Sequence, residues 1–400
     1  MLSANYSIGS VDPQALETAQ EHKMRAFEMR NAHFDRLTNT RELKWLGQNT
    51  NHATPHPAVI EAMQRCIRDE EFHVYAPPVG FEALRHGIAA DLDLLDQAVL
   101  VSDGAVAGLS HACRTLLGPG DELITTDPTW NWPMVFARSV GADVKQIPIY
   151  GEEHNYRLAP ERLAAAITPR TKVVYLVDPN NPLGTACTPQ EIEAICAIVR
   201  QSGATLIHDC TYRDFAYSHT LAAKLMPDRT ITIYSCSKWL GMAGLRVGAL
   251  VTSPDIAERL AAAPSNILGS NVLGQRAAIA GLGTKAEWFP AVLQNQRDNQ
   301  ARIKRAVDGL PGLLMPVFPS NGNFIVLECA GAGVRPEALV ACYQERGIMI
   351  RQGSYHTPNF GDRFVKVSTT VPAEWVEEFA ATLPEMLDRA RGMNEAVKLF

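Results

Sequence analysis

Seven short apolar runs, separated by stretches with helical spacing, constrain this chain more than any other feature. They read QAVLVS, DELITT, DVKQIPI, KVVYLV, ATLIHD, RTITIYS and VGALVT. Runs this apolar and β-branched suit strands covered on both faces. Their alternation with helices predicts an α/β large domain over residues 55–290, a mostly parallel seven-stranded sheet covered by helices. Within it, Val59, Ile60, Met63 and Ile67 share one face of a helix over 56–69, and 80–92 reads as another. Beyond this unit the pattern changes. Residues 286–309 predict a long linking helix. Then NFIVLEC, a helix over 335–346, GIMIR, RFVKVS and a final helix from about 372 predict a smaller α+β domain. A helix over 11–35 has no sheet of its own, so the small domain is expected to draw on both termini, 1–54 and 291–400.

Composition narrows the function classes. A chain of 400 residues, 46% hydrophobic and 20% charged, is ordinary globular material, which excludes disordered, collagen-like and coiled-coil proteins. A net charge of −6 leaves no basic surplus, so neither nucleic acid nor an acidic membrane surface is an expected partner. No apolar run approaches the ~20 residues of a membrane span. The start, MLSANYSIGSVDPQ, does not have the pattern of a secretory signal. Eight cysteines form no C-x-x-C pair, which points to small core residues in a reducing cytoplasm. Eleven histidines include no H-E-x-x-H spacing, and no metal is expected.

Five strings at strand ends carry the chemistry. In SCSKWLGMAGLRVG (235–248), Lys238 directly follows a strand. Partial desolvation there favours the neutral amine that Schiff-base chemistry requires. Arg246, eight residues on, has the planar fork suited to a phosphate. In ATLIHDCTY (204–212), Asp209 stands at the carboxyl end of its strand, where open α/β sheets bind ligands. In DPNNPLG (178–184), Asn181 offers a donor and an acceptor in a turn. In SDGAVAGL, Gly104 opens a helix whose first N–H groups face outward, a plausible anion cradle. In DPTWNWP (127–133), Trp130 stands in a turn where its indole can stack on a planar ligand. Taken one at a time, each string also fits a turn, a cap or a core contact.

Together and in this order, the strings resemble the class I/II aminotransferases, pyridoxal-phosphate enzymes of fold type I, from about residue 44 to about 385. The resemblance implies that Lys238 holds pyridoxal 5'-phosphate as a Schiff base and moves the proton. It implies that Asp209 pairs with the pyridine nitrogen, that Tyr212 and Asn181 reach the ring hydroxyl, and that Trp130 stacks on the ring. Ser235, Arg246 and the N–H groups of Ala105 and Val106 would hold the phosphate. Tyr75, in VYAPPVGFEALR, would reach the phosphate of a neighbouring subunit in a homodimer. Gly47 and Asn49 would cover the substrate, with Trp132 a further contact.

Two positions depart from the family. Val106 stands where Ser or Thr is common. Lys366, in RFVKVS, stands where family members carry the arginine that clamps the substrate carboxylate; Arg351, in GIMIRQGS, is the other candidate. The segment PSNILGSNVLGQ (264–275), which corresponds to the one supplying a side-chain arginine in aspartate aminotransferases, has no Arg or Lys. The implied activity is ping-pong transfer of an amino group from an amino acid with a neutral, apolar or aromatic side chain to a 2-oxo acid. The alternative is a pyridoxal-phosphate lyase, decarboxylase or cyclase on the same fold.

Overall fold

The computed structural model describes residues 27–263 and 268–393. A helix, α1, occupies 27–39 and is followed by β1 (Lys44–Trp45), α2 (Pro57–Arg68) and α3 (Glu82–Leu92). Strands and helices then alternate: β2 (Ala98–Asp103), α4 (Ala105–Leu116), β3 (Glu122–Asp127), α5 (Trp132–Ser139), β4 (Asp143–Pro148), α6 (Pro160–Ala166) and β5 (Thr171–Val177). Next come α7 (Pro189–Ser202), β6 (Thr205–Asp209), α8 (Ala222–Leu225), β7 (Thr230–Ser235), β8 (Val247–Thr252) and α9 (Pro254–Ala261). The chain continues through α10 (Val272–Asp308), β9 (Phe324–Glu328), α11 (Pro336–Glu345), β10 (Ile348–Met349), β11 (Arg351–Gln352), β12 (Phe364–Ser368) and α12 (Ala373–Arg391).

The seven apolar runs form one sheet, ordered β2-β8-β7-β6-β5-β3-β4. Only β8 runs against its neighbours, β2 and β7; the other pairings are parallel. Burial on both faces explains the continuous apolar runs. Val173, Tyr175, Ile207 and Ile233 pack with Leu109 and Ala112 of α4 on one face, while Val174, Leu176 and Leu206 pack with Ile192, Ile195 and Val199 of α7 on the other. The carboxyl ends of β3, β5, β6 and β7 therefore open together on one edge of the sheet.

A second, antiparallel sheet, β11-β12-β9, stands over that edge. Its outer face contributes Ile325, Leu327, Val365 and Val367 to a core shared with Leu339, Phe379 and Leu383. Strand β1 pairs in parallel with β10, which ties the N-terminal segment to the C-terminal unit. Phe34 and Leu37 of α1 pack with Leu43, Trp45 and Met349. Most of the expected helix over 11–35 lies outside the described residues.

Helix α10 joins the two regions, contacting α2 and α3 at one end and α12 at the other. It begins at Val272, well before the expected 286. Gly274, Gly281 and Gly283 weaken the helical signal there, since glycine costs about 1 kcal/mol per helix position relative to alanine. Close packing outweighs that cost at two of them: a Cβ on Gly274 would meet Val247 and the Leu245 carbonyl, and one on Gly281 would meet Leu240. The expected domain boundary at 290 falls inside this helix, at Pro290.

Candidate active site

A cavity of about 270 Å³ lies between the carboxyl ends of the parallel strands and the β11–β12 hairpin. Asp209, the last residue of β6, enters it from below and is nearly fully buried. Tyr175 Oη donates to its Oδ2 at 2.8 Å, and the Thr211 N–H donates to its Oδ1 at 3.1 Å. Burial pushes the carboxyl up, against the pull of these two donors. The hydrogen bonds thus hold Asp209 in place, and among the described residues no Lys or Arg forms an ion pair with it.

Lys238 sits just past the end of β7, where the strand places its amine inside the cavity. Nζ donates to the Gln48 carbonyl at 3.0 Å. Desolvation first, and then the positive charge of Arg246, bring its pKa down to about 8. Much of the amine is therefore neutral near that pH, the state a nucleophile needs.

Above Asp209 lies a polar shelf. Asn49 Nδ2 donates to Tyr212 Oη at 3.0 Å, and Asn181 Nδ2 donates to the same oxygen at 3.3 Å. Asn49 adopts φ +55°, and its backbone N–H donates to Ser368 Oγ at 2.8 Å, which fixes the loop over the cavity. Gly47 and Trp130 complete this part of the lining.

One end of the cavity has the build of an anion cradle. Gly104, at φ +79°, turns β2 into α4, so Ala105 and Val106 present the first turn of the helix to the cavity. A Cβ on Gly104 would collide with the Arg246 guanidinium, and one on Gly248 would collide with the Ala105 N–H. These two glycines let the guanidinium and the helix N-terminus share one place. Arg246 is held there by the Ala243 carbonyl at 2.8 Å, and Ser235 lines the same end.

Lys366 lines the cavity from β12, while Val365 and Val367 point into the core, as a strand's period of two requires. Lys366 is 3% exposed, and its Nζ donates to Asn181 Oδ1 at 3.2 Å. Burial, with Arg351 and Lys238 nearby, holds its pKa well below the usual lysine range. Carrying an uncompensated ion here would cost several kcal/mol. Arg351 lines the same wall, its guanidinium 4.7 Å from the centre of the Tyr355 ring.

The cavity thus gathers the residues singled out from the sequence, with two exceptions. Tyr75 is 77% exposed and stands outside the lining. Trp132 also stands outside it; Arg30 lies 5.6 Å from its ring centre, and Phe136 packs beside it. The lining adds residues that sequence reasoning missed, notably Phe34, Gln48, Tyr355 and His356. Gln48, Tyr355 and His356 lie in irregular segments with no periodic signal, and Phe34 lies on α1, whose helical spacing does not point to a site.

Behind Asp209, His208, Cys210 and His219 bring ligand-type atoms within 4.8 Å of one another. Hydrogen bonding argues against a metal there. His208 Nδ1 accepts from the Ala222 N–H at 3.3 Å, which leaves the ring proton on Nε2, facing Asp178 Oδ2 at 3.5 Å. Neither nitrogen then offers a lone pair to an ion.

Fold and site define an α/β enzyme with a buried lysine, a carboxylate and a phosphate-type cradle around one cavity. Comparison with known proteins gives the family. The description "Aminotransferase class I and II" matches residues 41–383. The chain belongs to this family of pyridoxal-phosphate-dependent transferases. It is 26% identical over 348 residues to a probable N-acetyl-LL-diaminopimelate aminotransferase of Bacillus subtilis, covering 84% of this chain and 85% of that one. It is 29% identical over 322 residues to an aromatic amino acid aminotransferase of Cutibacterium acnes, with 77% and 87% covered. The solved N-succinyldiaminopimelate aminotransferase of Mycobacterium tuberculosis superposes with a TM-score of 0.80 at 22% identity, covering 89% of this chain and 96% of that one.

Proposed function

We propose that the cavity holds pyridoxal phosphate and that the protein transfers an amino group from an amino acid with a neutral, apolar or aromatic side chain to a 2-oxo acid. The observation that carries this reading is the convergence of Lys238, Asp209 and the Gly104–Arg246 cradle in one cavity. Each answers one need of that cofactor: an amine for its aldehyde, an anion for its ring nitrogen, a nest for its phosphate. Bound there, the cofactor supplies an electron sink for the carbon bearing the amino group.

The chain's own residues do the rest. With the cofactor bound, Lys238 Nζ, neutral and desolvated, would take the proton from the substrate carbon and hold it for return. Asp209, fixed by Tyr175 and Thr211, would keep a proton on the ring nitrogen. Tyr212 and Asn181 would hold the ring hydroxyl, and Trp130 would lie against the ring. Arg246, Ser235 and the Ala105 and Val106 N–H groups would anchor the phosphate. Lys366 and Arg351 receive the substrate's acid group, under Asn49 and Gly47.

The Lys238 amine sets the sign of a pH dependence. Below about 8 it is protonated and cannot attack; above, it is neutral. Cofactor uptake by the cofactor-free protein should therefore speed up as pH rises and level off above that point. Stopped-flow absorbance reads the rate, and a rate flat across the transition would contradict the assignment.

Side-chain preference is tested with a donor panel. Residues 268–275 of the described chain bring no Arg or Lys, and a second buried carboxylate without a partner is costly. Leucine, methionine or phenylalanine should outpace aspartate in cofactor conversion. A strong preference for aspartate would overturn this part of the reading.

A homodimer fits the outer surface. Ile67, Phe72, Val74 and Tyr75 are all exposed within one short segment, an apolar patch suited to a second copy of the chain. In such a dimer Tyr75 would reach the neighbour's phosphate site. Sedimentation should give a dimer, and Tyr75→Phe should weaken cofactor retention; a catalytically active monomer would contradict both. Among the described residues no helix is long and apolar enough to cross a membrane. All eight cysteines are buried and unpaired, which supports a reducing cytoplasm.

A further inference from the structure

Lys366 is a lysine buried among cations. It stands on β12 directly across from Arg351 on β11, so the two side chains leave the same face of the pair. Lys238 and Arg246 line the same cavity. His356, in the turn between β11 and β12, is buried too, and neither of its ring nitrogens has a hydrogen-bond partner. From β9, the other neighbouring strand, only apolar groups approach: Val326 lies across from Lys366, and the Phe324 ring centre is 5.2 Å from its Nζ. Its hydrogen bond goes to a neutral acceptor, Asn181 Oδ1, which belongs to the amide that also reaches Tyr212. Tyr355 lies beside Arg351. Among the described residues no carboxylate forms an ion pair with Lys366, and the one carboxylate in the lining, Asp209, is engaged by Tyr175 and Thr211.

An ammonium in this setting lacks both water and a counter-charge, and its neighbours repel it. The neutral amine is favoured, and it suffices for the bond to Asn181. Burial first, then Arg351 and Lys238, push the Lys366 amine in that direction. A substrate carboxylate reverses the balance. It brings a negative charge within hydrogen-bond reach, and the ammonium becomes the favoured state. His356 meets the same charges, and burial, Lys366 and Arg351 keep its ring neutral. An imidazole starts about four pK units less basic than a lysine amine, so Lys366 takes a proton first. Arg351 is charged throughout. An arginine in place of Lys366 would be charged before any substrate arrived, with no proton to take up.

We propose that Lys366 couples carboxylate binding to proton uptake: its neutral amine takes one proton from solvent as the substrate carboxylate arrives, then donates to that carboxylate as an ammonium. One N–H bond forms at Nζ, solvent supplies the proton, and the carboxylate offsets the new charge. This inference rests on the reading that Lys238 holds the cofactor and that the carboxylate meets Lys366 and Arg351. It covers amino donor and 2-oxo acid alike, since both carry that carboxylate. The sign follows from the two states of the amine. Below its pKa in the free protein, the ammonium is already present and no proton enters. Above its pKa in the complex, no ammonium forms. Between the two, uptake is greatest, and carboxylate affinity falls as pH rises, by at most about tenfold per pH unit for a one-proton step.

The test is calorimetric titration of the cofactor-loaded protein with 4-methylpentanoate, which is leucine without its amino group, and with the uncharged 4-methylpentanamide. Each titration is repeated in buffers of different ionisation enthalpy between about pH 6 and 9, and the dependence of heat on buffer gives the protons taken up. The carboxylate should bind about tenfold or more tightly than the amide, the worth of one charge-assisted hydrogen bond. It should take up most of one proton at the maximum, and the amide none. The absorbance of lysine-bound cofactor, followed during the titration, shows any proton gained at Lys238, which is subtracted. Lys366→Arg should bind the carboxylate with no uptake. Lys366→Met should lose the uptake and bind the carboxylate more weakly. His356→Gln should keep the uptake. Four results would each overturn the inference: no uptake in the wild-type protein at any pH, uptake persisting in both Lys366 variants, uptake lost in His356→Gln, or a carboxylate that binds no better than the amide. Cofactor absorbance is read before any probe is added, so failure of the cofactor reading shows separately, as its absence in the wild-type protein.

Discussion

Lys238→Ala is expected to abolish the absorbance of lysine-bound cofactor and to remove essentially all turnover. Two losses combine. The amine that would hold the cofactor is gone, and so is the group that would carry the proton. Proton transfer alone is worth about a hundred- to ten-thousand-fold in rate. Lys366, the other lysine in the lining, is engaged by Asn181 Oδ1. Absorbance spectroscopy and a donor–acceptor assay read the two losses separately. Normal turnover in this variant would remove the lysine from the mechanism.

Lys366→Ala is expected to do the reverse, damaging substrate kinetics while leaving the cofactor in place. Its amine donates to Asn181 Oδ1, and it touches neither Asp209 nor Arg246 through a hydrogen bond. Removing one charge-assisted hydrogen bond to the substrate's acid group costs about 1.5–3 kcal/mol, or about ten- to a hundred-fold in affinity. The effect should fall on KM across the donor panel, with cofactor absorbance unchanged. Unaltered kinetics would show that Lys366 does not meet the substrate, and Arg351 would become the leading contact.

How far the site could be read from the sequence follows from how each residue is positioned. Asp209 and Lys238 stand at or just beyond the ends of apolar runs, and Asn181 stands in the turn after one. In a mostly parallel sheet those ends share one edge, so a reading of strands is already a reading of the site. Lys366 was legible for a related reason: the period of two in RFVKVS puts it on one face and its valine neighbours on the other. His356 had no such signal. It sits in an irregular turn, and only the pairing of β11 with β12 carries that turn to the cavity. Tyr175 was hidden differently. Inside KVVYLV it reads as packing, and its contact with Asp209 depends on the β5–β6 register. The start of α10 was missed because three glycines imitate a loop. Trp132, expected at the substrate, instead stands outside the cavity beneath Arg30.

The central claim is that this cavity moves an amino group, in preference to releasing carbon dioxide or eliminating a side chain. One single-turnover experiment addresses it directly. The cofactor-loaded protein is mixed with the best donor of the panel in the absence of any 2-oxo acid, and the cofactor is then released and identified. Transfer leaves one equivalent of pyridoxamine phosphate and one of the matching oxo product. Recovery of pyridoxal phosphate with the donor decarboxylated, cleaved or cyclised would contradict the account and assign the fold to a different reaction.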